Sequence, residues 1–458
     1  MFDIDIIETS SLGDRSYLVS DGVVAAVIDP QRDIDRVVQA AEQKKIRITH
    51  VLETHLHNDY VSGGLELATT VGAAYLVSGA ETVAFDRTPV RDGDVVEVGD
   101  MRLRVIATPG HTHHHVSYAL LTRSGETEAV FTGGSLLFGA TGRTDLLGAK
   151  DTEELTHAQY RSVRRLAAEL PESTRVMPTH GFGSFCSATP TSGDESTIGE
   201  QGKLNPALTQ EEQDFVDELI AGLDAYPAYY AHMMPLNSAG PLAVDLSMPE
   251  LLDPQQVRAR IAAGEWVVDL RNRTAFAAGH LAGSFAFELS DNFVTYLGWL
   301  HPWDTALTLI GDSADQVLTA RRELARIGVD RLDGASIGDP TTRAPASEVR
   351  SYAVNDFAGL ARALAEGEVH VLDTRRNDER AKSAIPRSQH IPIHELPNRL
   401  AEVPGGTVWV HCGSGYRAGI AASMLDDGSR QLVHVDDNFD RAQALGLTAP
   451  DSENVVGR

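Results

Sequence analysis

The C-terminal half of the chain carries one pattern twice. "GEWVVDLRNRTAFAAGHLAGSFAFEL", from Gly264, is matched by "GEVHVLDTRRNDERAKSAIPRSQHIPIHEL", from Gly367, and each copy runs on into a second apolar strand and a helix. A repeat of this kind is one α/β unit used two times, so both copies are expected to fold alike. They differ after the second strand. "ALTLI" leads into "GDSADQVLTARRELARIG", whereas "TVWV" leads into "HCGSGYRAGIAASML". Only the second copy offers a cysteine there.

The other half has a different rhythm. From Val24 to Gly183, short β-rich runs such as "ITHVLET", "MRLRVIATP", "EAVFTGG" and "TRVMPTH" alternate with loops and with helical text such as "TEELTHAQYRSVRRLAAEL". The histidines fall just after the apolar runs, which puts them on loops at the edge of a rigid sheet. "ETHLHNDYVSGG" sets His55, His57 and Asp59 on alternate residues, "TPGHTHHH" adds His111 and "PTHG" adds His180. Imidazole and carboxylate gathered in this way form the donor set of a metal centre. His113, His114, His115, His157 and His232 read as solvated or packing residues. Residues 184–240 begin polar and then read as one amphipathic helix, a connector between domains.

Composition narrows the classes. A chain of 458 residues is too long for a single core, so several domains are expected. No apolar run approaches the ~18 residues of a membrane span. The N-terminal text "MFDIDIIETSSLGDRSYLVS" reads as a strand and not as a signal peptide, which points to the cytoplasm. A net charge of -26 without a basic patch excludes nucleic acid as a partner. Two cysteines far apart, Cys186 and Cys412, exclude a disulfide scaffold, so each thiol is judged alone.

Cys412, Gly413, Ser414, Gly415, Tyr416 and Arg417 lie between a β-run and a helical run. Such a loop turns backbone N–H groups and a helix N-terminus toward the sulfur, and Arg417 adds positive charge, the setting that a nucleophilic cysteine requires. With the "LDTR" start at Leu372, this copy resembles a rhodanese domain, whose active loop has six residues from Cys to Arg. The resemblance implies that Cys412 carries sulfane sulfur as a persulfide, stabilised by the loop amides and Arg417. The six-residue length separates it from the longer phosphatase-type loop. The first copy keeps Asp269 and Arg271 but has Gly311 near the cysteine position, which implies a structural or docking role.

The histidine loops resemble the metallo-β-lactamase fold. Thr54, His55, His57, Asp59, His111 and His180 match its pattern, whereas Tyr60 replaces the last His of T-H-x-H-x-D-H and Gly134 replaces the Asp of "T-G-D". The second site of a two-metal centre would thus retain only Asp59 and His180, so at most one metal per chain is expected. With "GRTDLLG" and "THGFGSFC", the domain order is similar to persulfide dioxygenases fused to an inactive and then an active rhodanese domain. That resemblance implies one Fe(II), with zinc as the other metal considered, held by two His and one Asp. By position these are His55, His111 and residue 134, where His57, Asp59, a water or Asp145 would have to replace the lost Asp. Cys186 becomes a candidate second sulfur carrier.

The expected fold class is α/β multidomain: an αββα metallo-β-lactamase sandwich over residues 1–240 with its connector, a degenerate rhodanese-like domain over 241–340, and an active rhodanese domain over 341–458, the last two with parallel sheets. The expected function is in sulfur metabolism. The metal domain would oxidise a low-molecular-weight thiol persulfide with O₂ toward sulfite, and Cys412 would transfer sulfane sulfur, onto sulfite to give thiosulfate or onto another acceptor. A glyoxalase II-like thioester hydrolase and a sulfur-relay protein with a metal-free scaffold domain are the alternatives. Expected partners are the persulfide, O₂ and the sulfur acceptor, with no nucleic acid or membrane; homo-oligomerisation stays open.

Overall fold

The computed structural model describes residues 2–189, 191, 193–342, 344–367 and 369–450, and the chain divides into two units, Met1–Asp245 with Arg322–Gly328, and Leu246–Arg321 with Val329–Arg458. Residues 451–458, the end of the expected third domain, lie outside the described residues.

In the first unit a six-stranded sheet runs in the order Asp3–Thr9, Asp14–Ser20, Val24–Ile28, Arg47–Leu52, Ala74–Ser78, Thr88–Val90. The second sheet has five strands, ordered Arg175–Pro178, Thr127–Gly133, Val116–Leu121, Met101–Ala107, Val95–Val98. Alternation along each strand decides which face is shared. Tyr17, Val19, Ala26, Ile28 and Leu52 of the first sheet meet Leu103, Val105, Tyr118, Leu120 and Phe131 of the second in one buried layer. The intervening residues face outward under helices. Leu18, Val27 and Val51 pack with Val37 and Ala41 of helix Asp35–Lys44 and Leu67 of helix Gly64–Val71. Ala119 and Val130 pack with Val163 and Leu166 of helix Thr152–Glu169. The layers are therefore αββα.

The connector departs from the expected single helix. Its described residues form four, Ile198–Leu204, Pro206–Thr209, Glu212–Gly222 and Tyr230–Ala239. Asn205 explains the first break: extended at φ -80° and ψ 126°, it ends one helix and caps the next through its side chain, with Pro206 in the first turn. Phe215, Val216 and Leu219 of the third helix join the core under Thr152–Glu169, so this segment completes the outer helical layer.

The second unit holds two parallel sheets. One is ordered Phe285–Ala286, Trp266–Asp269, Leu307–Gly311, Leu332–Ile337, the other Ala353–Asn355, Arg430–Val435, Gly406–His411, His370–Asp373, Gln389–His390. The repeat extends to buried ion pairs. Arg271 Nη2 donates to Asp269 Oδ2 at 2.7 Å and Arg375 Nη2 to Asp373 Oδ2 at 2.7 Å, and each arginine also caps a carbonyl eight residues on, Gly279 and Ser383. No described helix is long and apolar enough to cross a membrane.

Candidate functional site

Five strand ends converge in the first unit. Strand Val24–Ile28 delivers Asp29, Arg47–Leu52 delivers Glu53 to Tyr60, Met101–Ala107 leads to His111, Thr127–Gly133 ends at Gly134, and Arg175–Pro178 is followed by His180. Asp29 is fully buried, and its carboxylate accepts from the Thr54 N–H at 2.7 Å, from the Thr54 hydroxyl at 2.8 Å and from the Thr179 hydroxyl. One side chain thus fixes three loops. The sequence offered no signal for it, because an isolated Asp at a strand end looks like any turn residue.

The four imidazoles fall into two electrostatic kinds. His57 Nε2 lies 3.1 Å from Glu53 Oε2 and 3.4 Å from Asp29 Oδ1, and although burial alone would lower its pKa, these carboxylates raise it to about 9. His180 Nδ1 lies 2.9 Å from Asp14 Oδ1 and 3.1 Å from Asp59 Oδ2, and the two acids outweigh burial to hold it well above its ordinary range. Burial and the neighbouring imidazoles push His55 well down, and burial with the charge of His180 lowers His111 to about 3. His57 and His180 are therefore cations in the metal-free protein, and His55 and His111 are neutral. A neutral imidazole with an open nitrogen is a ligand in waiting.

Open donor atoms do face one another. His111 Nδ1 donates to the Arg143 carbonyl at 2.7 Å, which leaves Nε2 buried with no partner. His57 Nδ1 and Asp59 Oδ1 are in the same condition. His55 Nε2 and His180 Nε2, by contrast, are hydrogen-bonded to each other at 3.3 Å. The sets His55, His57, His180; His111, His180, Cys186; and Asp14, Asp59, His180 each bring their donor atoms within 4.8 Å of one another. Groups able to hold a metal are thus present.

They do not fit the two-His, one-Asp iron site that the resemblance implied. Position 134 has no side chain, and the His111 ring fills the space into which one would project, so that a Cβ there would overlap the imidazole. Asp145, one replacement considered, is turned away: its two oxygens accept from Arg143 Nε and Nη2 at 2.7 and 2.8 Å. His115 is a buried packing residue that stacks on His55 and accepts the Gly134 N–H at 3.1 Å. Gly134 is closed by design of its surroundings, and Gly134→Ala is expected to destabilise the first unit by about 2 kcal/mol through overpacking, read as faster amide exchange in strand Thr127–Gly133.

In the second unit Cys412 follows strand Gly406–His411 and precedes helix Tyr416–Leu425. Its Sγ is buried and accepts the Gly415 N–H at 3.1 Å. Gly415 has φ 88°, and a Cβ there would collide with the Asp436 carboxylate, so the turn needs glycine. The Gly415 carbonyl accepts from His434 Nε2 at 2.8 Å and the Gly413 carbonyl accepts the Phe439 N–H at 2.9 Å, which fix the loop from behind. Arg417 does not stand free: Nη1 and Nη2 donate to the two Glu379 oxygens at 2.5 and 2.7 Å. Burial would raise the Glu379 carboxyl, but Arg417 brings it down to about 2. The register locates the counterpart of Cys412 in the first copy. Asp373 pairs with His411 as Asp269 pairs with Ile310, which sets Gly311 where Cys412 stands.

The metallo-beta-lactamase superfamily profile matches residues 15–180 and the rhodanese-like domain profile residues 357–441. Human mitochondrial persulfide dioxygenase ETHE1 is 30% identical over 210 residues, 45% of this chain and 74% of the relative. A hydroxyacylglutathione hydrolase of Rhodospirillum rubrum is 34% identical over 188 residues, 40% of this chain and 68% of the relative. A metallo-beta-lactamase structure from Staphylococcus aureus subsp. aureus COL aligns with TM-score 0.66 at 27% identity and covers 74% of this chain and 99% of its own. The chain belongs to the metallo-β-lactamase superfamily, has persulfide dioxygenases among its homologues, and joins that domain to a C-terminal rhodanese-like domain.

Proposed function

We propose that the protein is a sulfurtransferase of sulfur metabolism that takes the sulfane sulfur of a low-molecular-weight thiol persulfide onto Cys412 and passes it to sulfite, giving thiosulfate. One observation carries the reading: Cys412 Sγ already accepts a backbone N–H, at the N-terminus of helix Tyr416–Leu425, in a loop that only glycine at 415 allows. The loop amide and the helix N-terminus favour negative charge at the sulfur, the charge that moves during transfer. The Cys412 sulfur attacks the outer sulfur of R–S–SH, the S–S bond breaks, and the thiol RSH leaves with the persulfide proton. The sulfite lone pair then attacks the terminal sulfur of the Cys412 persulfide, and thiosulfate departs as the Cys412 thiolate is regenerated. No net oxidation occurs.

Residues 1–240, 241–340 and 341–458 are proposed as its three modules, the middle one structural because Gly311 offers no sulfur. Oxidation of the persulfide by O₂ toward sulfite, at one iron or zinc, is the activity that the persulfide dioxygenase homologues suggest for the first module. Position 134 of this chain has no side chain to supply the Asp of that iron site, and sulfite enters as a co-substrate. Two-metal thioester hydrolysis needs a bridging carboxylate and a further imidazole, where this chain has Gly134 and Tyr60.

Incubation with glutathione persulfide should add the mass of one sulfur atom to the intact protein, on a peptide containing Cys412. Sulfite should then remove that mass and release one equivalent of thiosulfate. Absence of the adduct, or an adduct that sulfite leaves in place, defeats the reading.

A further inference from the structure

We propose that His111, His180 and Cys186 form a thiolate-bearing site for one borderline divalent cation, with zinc the best match. In this site the Cys186 sulfur takes the place of the carboxylate missing at Gly134. The donor atoms of these three residues lie within 4.8 Å of one another, and all three side chains are buried. A tetrahedral zinc with one sulfur and two nitrogens spaces its donors by about 3.5 Å, so closing the set requires each pair of donors to approach by no more than about 1.3 Å.

The backbone brings Cys186 to the cavity and keeps it there. After His180 the chain turns through Gly181 at φ 120° and Gly183 at φ 100°, a double reversal that L side chains rarely permit. The Cys186 N–H donates to the Ser184 hydroxyl at 3.1 Å, and the Cys186 carbonyl accepts the Arg143 N–H at 2.8 Å. The same Arg143 residue accepts from His111 Nδ1 through its carbonyl. One residue therefore holds Cys186 with its N–H and His111 with its C=O.

Two further observations point to a ligand. His111 Nε2 is buried with its lone pair unmatched, because its other nitrogen is committed as a donor to Arg143. A buried acceptor left without a partner is destabilising, and a cation removes that deficit. Around His180, the carboxylates of Asp14 and Asp59 stand 2.9 and 3.1 Å from Nδ1, as outer partners of a metal-bound imidazole do, and Nε2, hydrogen-bonded to His55 Nε2 at 3.3 Å, would exchange that partner for the cation. Thiolate with imidazole selects zinc over magnesium or calcium, and three protein donors leave one coordination position open, as in catalytic and not purely structural zinc sites. On binding, Cys186 gives up its thiol proton and His180 its Nε2 proton to solvent.

The proposal is independent of transfer at Cys412, so every sample carries Cys412→Ser. With one equivalent of zinc, zinc-edge X-ray absorption of that full-length protein should return one sulfur at about 2.3 Å and two nitrogens at about 2.0 Å. With cobalt(II) in place of zinc, a thiolate-to-metal charge-transfer band should appear and should be lost when Cys186→Ala is added. The absorption measurement needs no change at 186, so a folding defect in the second variant cannot rescue the idea. A nitrogen-and-oxygen-only shell, failure to retain stoichiometric metal on dialysis, or a charge-transfer band that survives Cys186→Ala overturns it.

Discussion

Replacing Cys412 with serine is expected to lower thiosulfate formation from glutathione persulfide and sulfite by about 10⁴-fold or more, the scale on which removal of a nucleophile acts. The argument is chemical, since the surroundings would scarcely change. A serine oxygen fits the position of Sγ and can accept the Gly415 N–H that the sulfur accepts at 3.1 Å. It stays a neutral hydroxyl under those donors, however, and it cannot form the S–S bond on which the sulfur travels. Folding should move by no more than about 0.5 kcal/mol. All four tryptophans, Trp266, Trp299, Trp303 and Trp409, lie in the second unit, so intrinsic fluorescence during denaturation reports on this very region. Loss of transfer with an unchanged fluorescence transition separates chemistry from stability. A variant that keeps even a tenth of the rate would move the nucleophile elsewhere.

Arg417 shows where a reading of the loop alone stops. The spacing from Cys412 to Arg417 marks a loop that ends in a cation, and the helix that follows does begin there. Glu379 is thirty-eight residues away in sequence, in a helix whose text, "NDERAK", carries no sign that one of its acids will pack half-buried against the loop. The ion pair leaves little of the Arg417 charge uncommitted. Under the proposed transfer, stabilisation of a Cys412 persulfide would fall mainly on backbone dipoles, which are fixed by Gly415 and by the carbonyl contacts of Gly413 and Gly415 behind the loop.

The same division runs through the first unit. Short β-rich runs are legible because they are local, whereas the αββα layer order follows from the resemblance carried by the histidine loops, and the meeting of Tyr17 and Ile28 with Leu103 and Phe131 across the two sheets is a fact of packing. The repeat shows two copies of one α/β unit, and their parallel sheets follow from the resemblance to rhodanese domains. The break at Asn205 was not read, because one residue serves as the end of one helix and the cap of the next, and amphipathic periodicity continues across it. At the histidine loops the donors could be named, yet Asp14, Asp29 and Glu53, which decide the charge on each imidazole, could not. Their partners come from other strand ends. Likewise the loss of a carboxylate at Gly134 is visible in the text, but its occupation by the His111 ring is a fact of packing.

Asp29 is the residue on which that charge pattern turns, and Asp29→Ala is expected to destabilise the first unit by about 3–5 kcal/mol, as when one partner of a buried ion pair is removed. The change leaves the Thr54 N–H without an acceptor, frees the Thr54 and Thr179 hydroxyls and strips one of two acids from the buried His57 cation. Alanine would also inherit φ 50°, a conformation in which asparagine and aspartate are the tolerated side chains. Asp29→Asn, which keeps the backbone preference and can still accept from Thr54, should therefore lose less. The sign of the pH dependence follows from His57. Its folded pKa is raised, from 6.5 to about 9, so its contribution to the metal-free protein is fully present below pH 6.5 and is lost as pH rises through 9. The amount at stake is about 3 kcal/mol. Amide exchange in strands Val24–Ile28 and Arg47–Leu52, which bracket Asp29 and His57, reads the first unit while tryptophan fluorescence reads the second. Wild-type protection should fall between pH 7 and 9, and in Asp29→Ala it should start lower and fall less, because the group that held the proton has gone. Equal alkaline loss in both proteins would mean that His57 owes its proton to Glu53 alone.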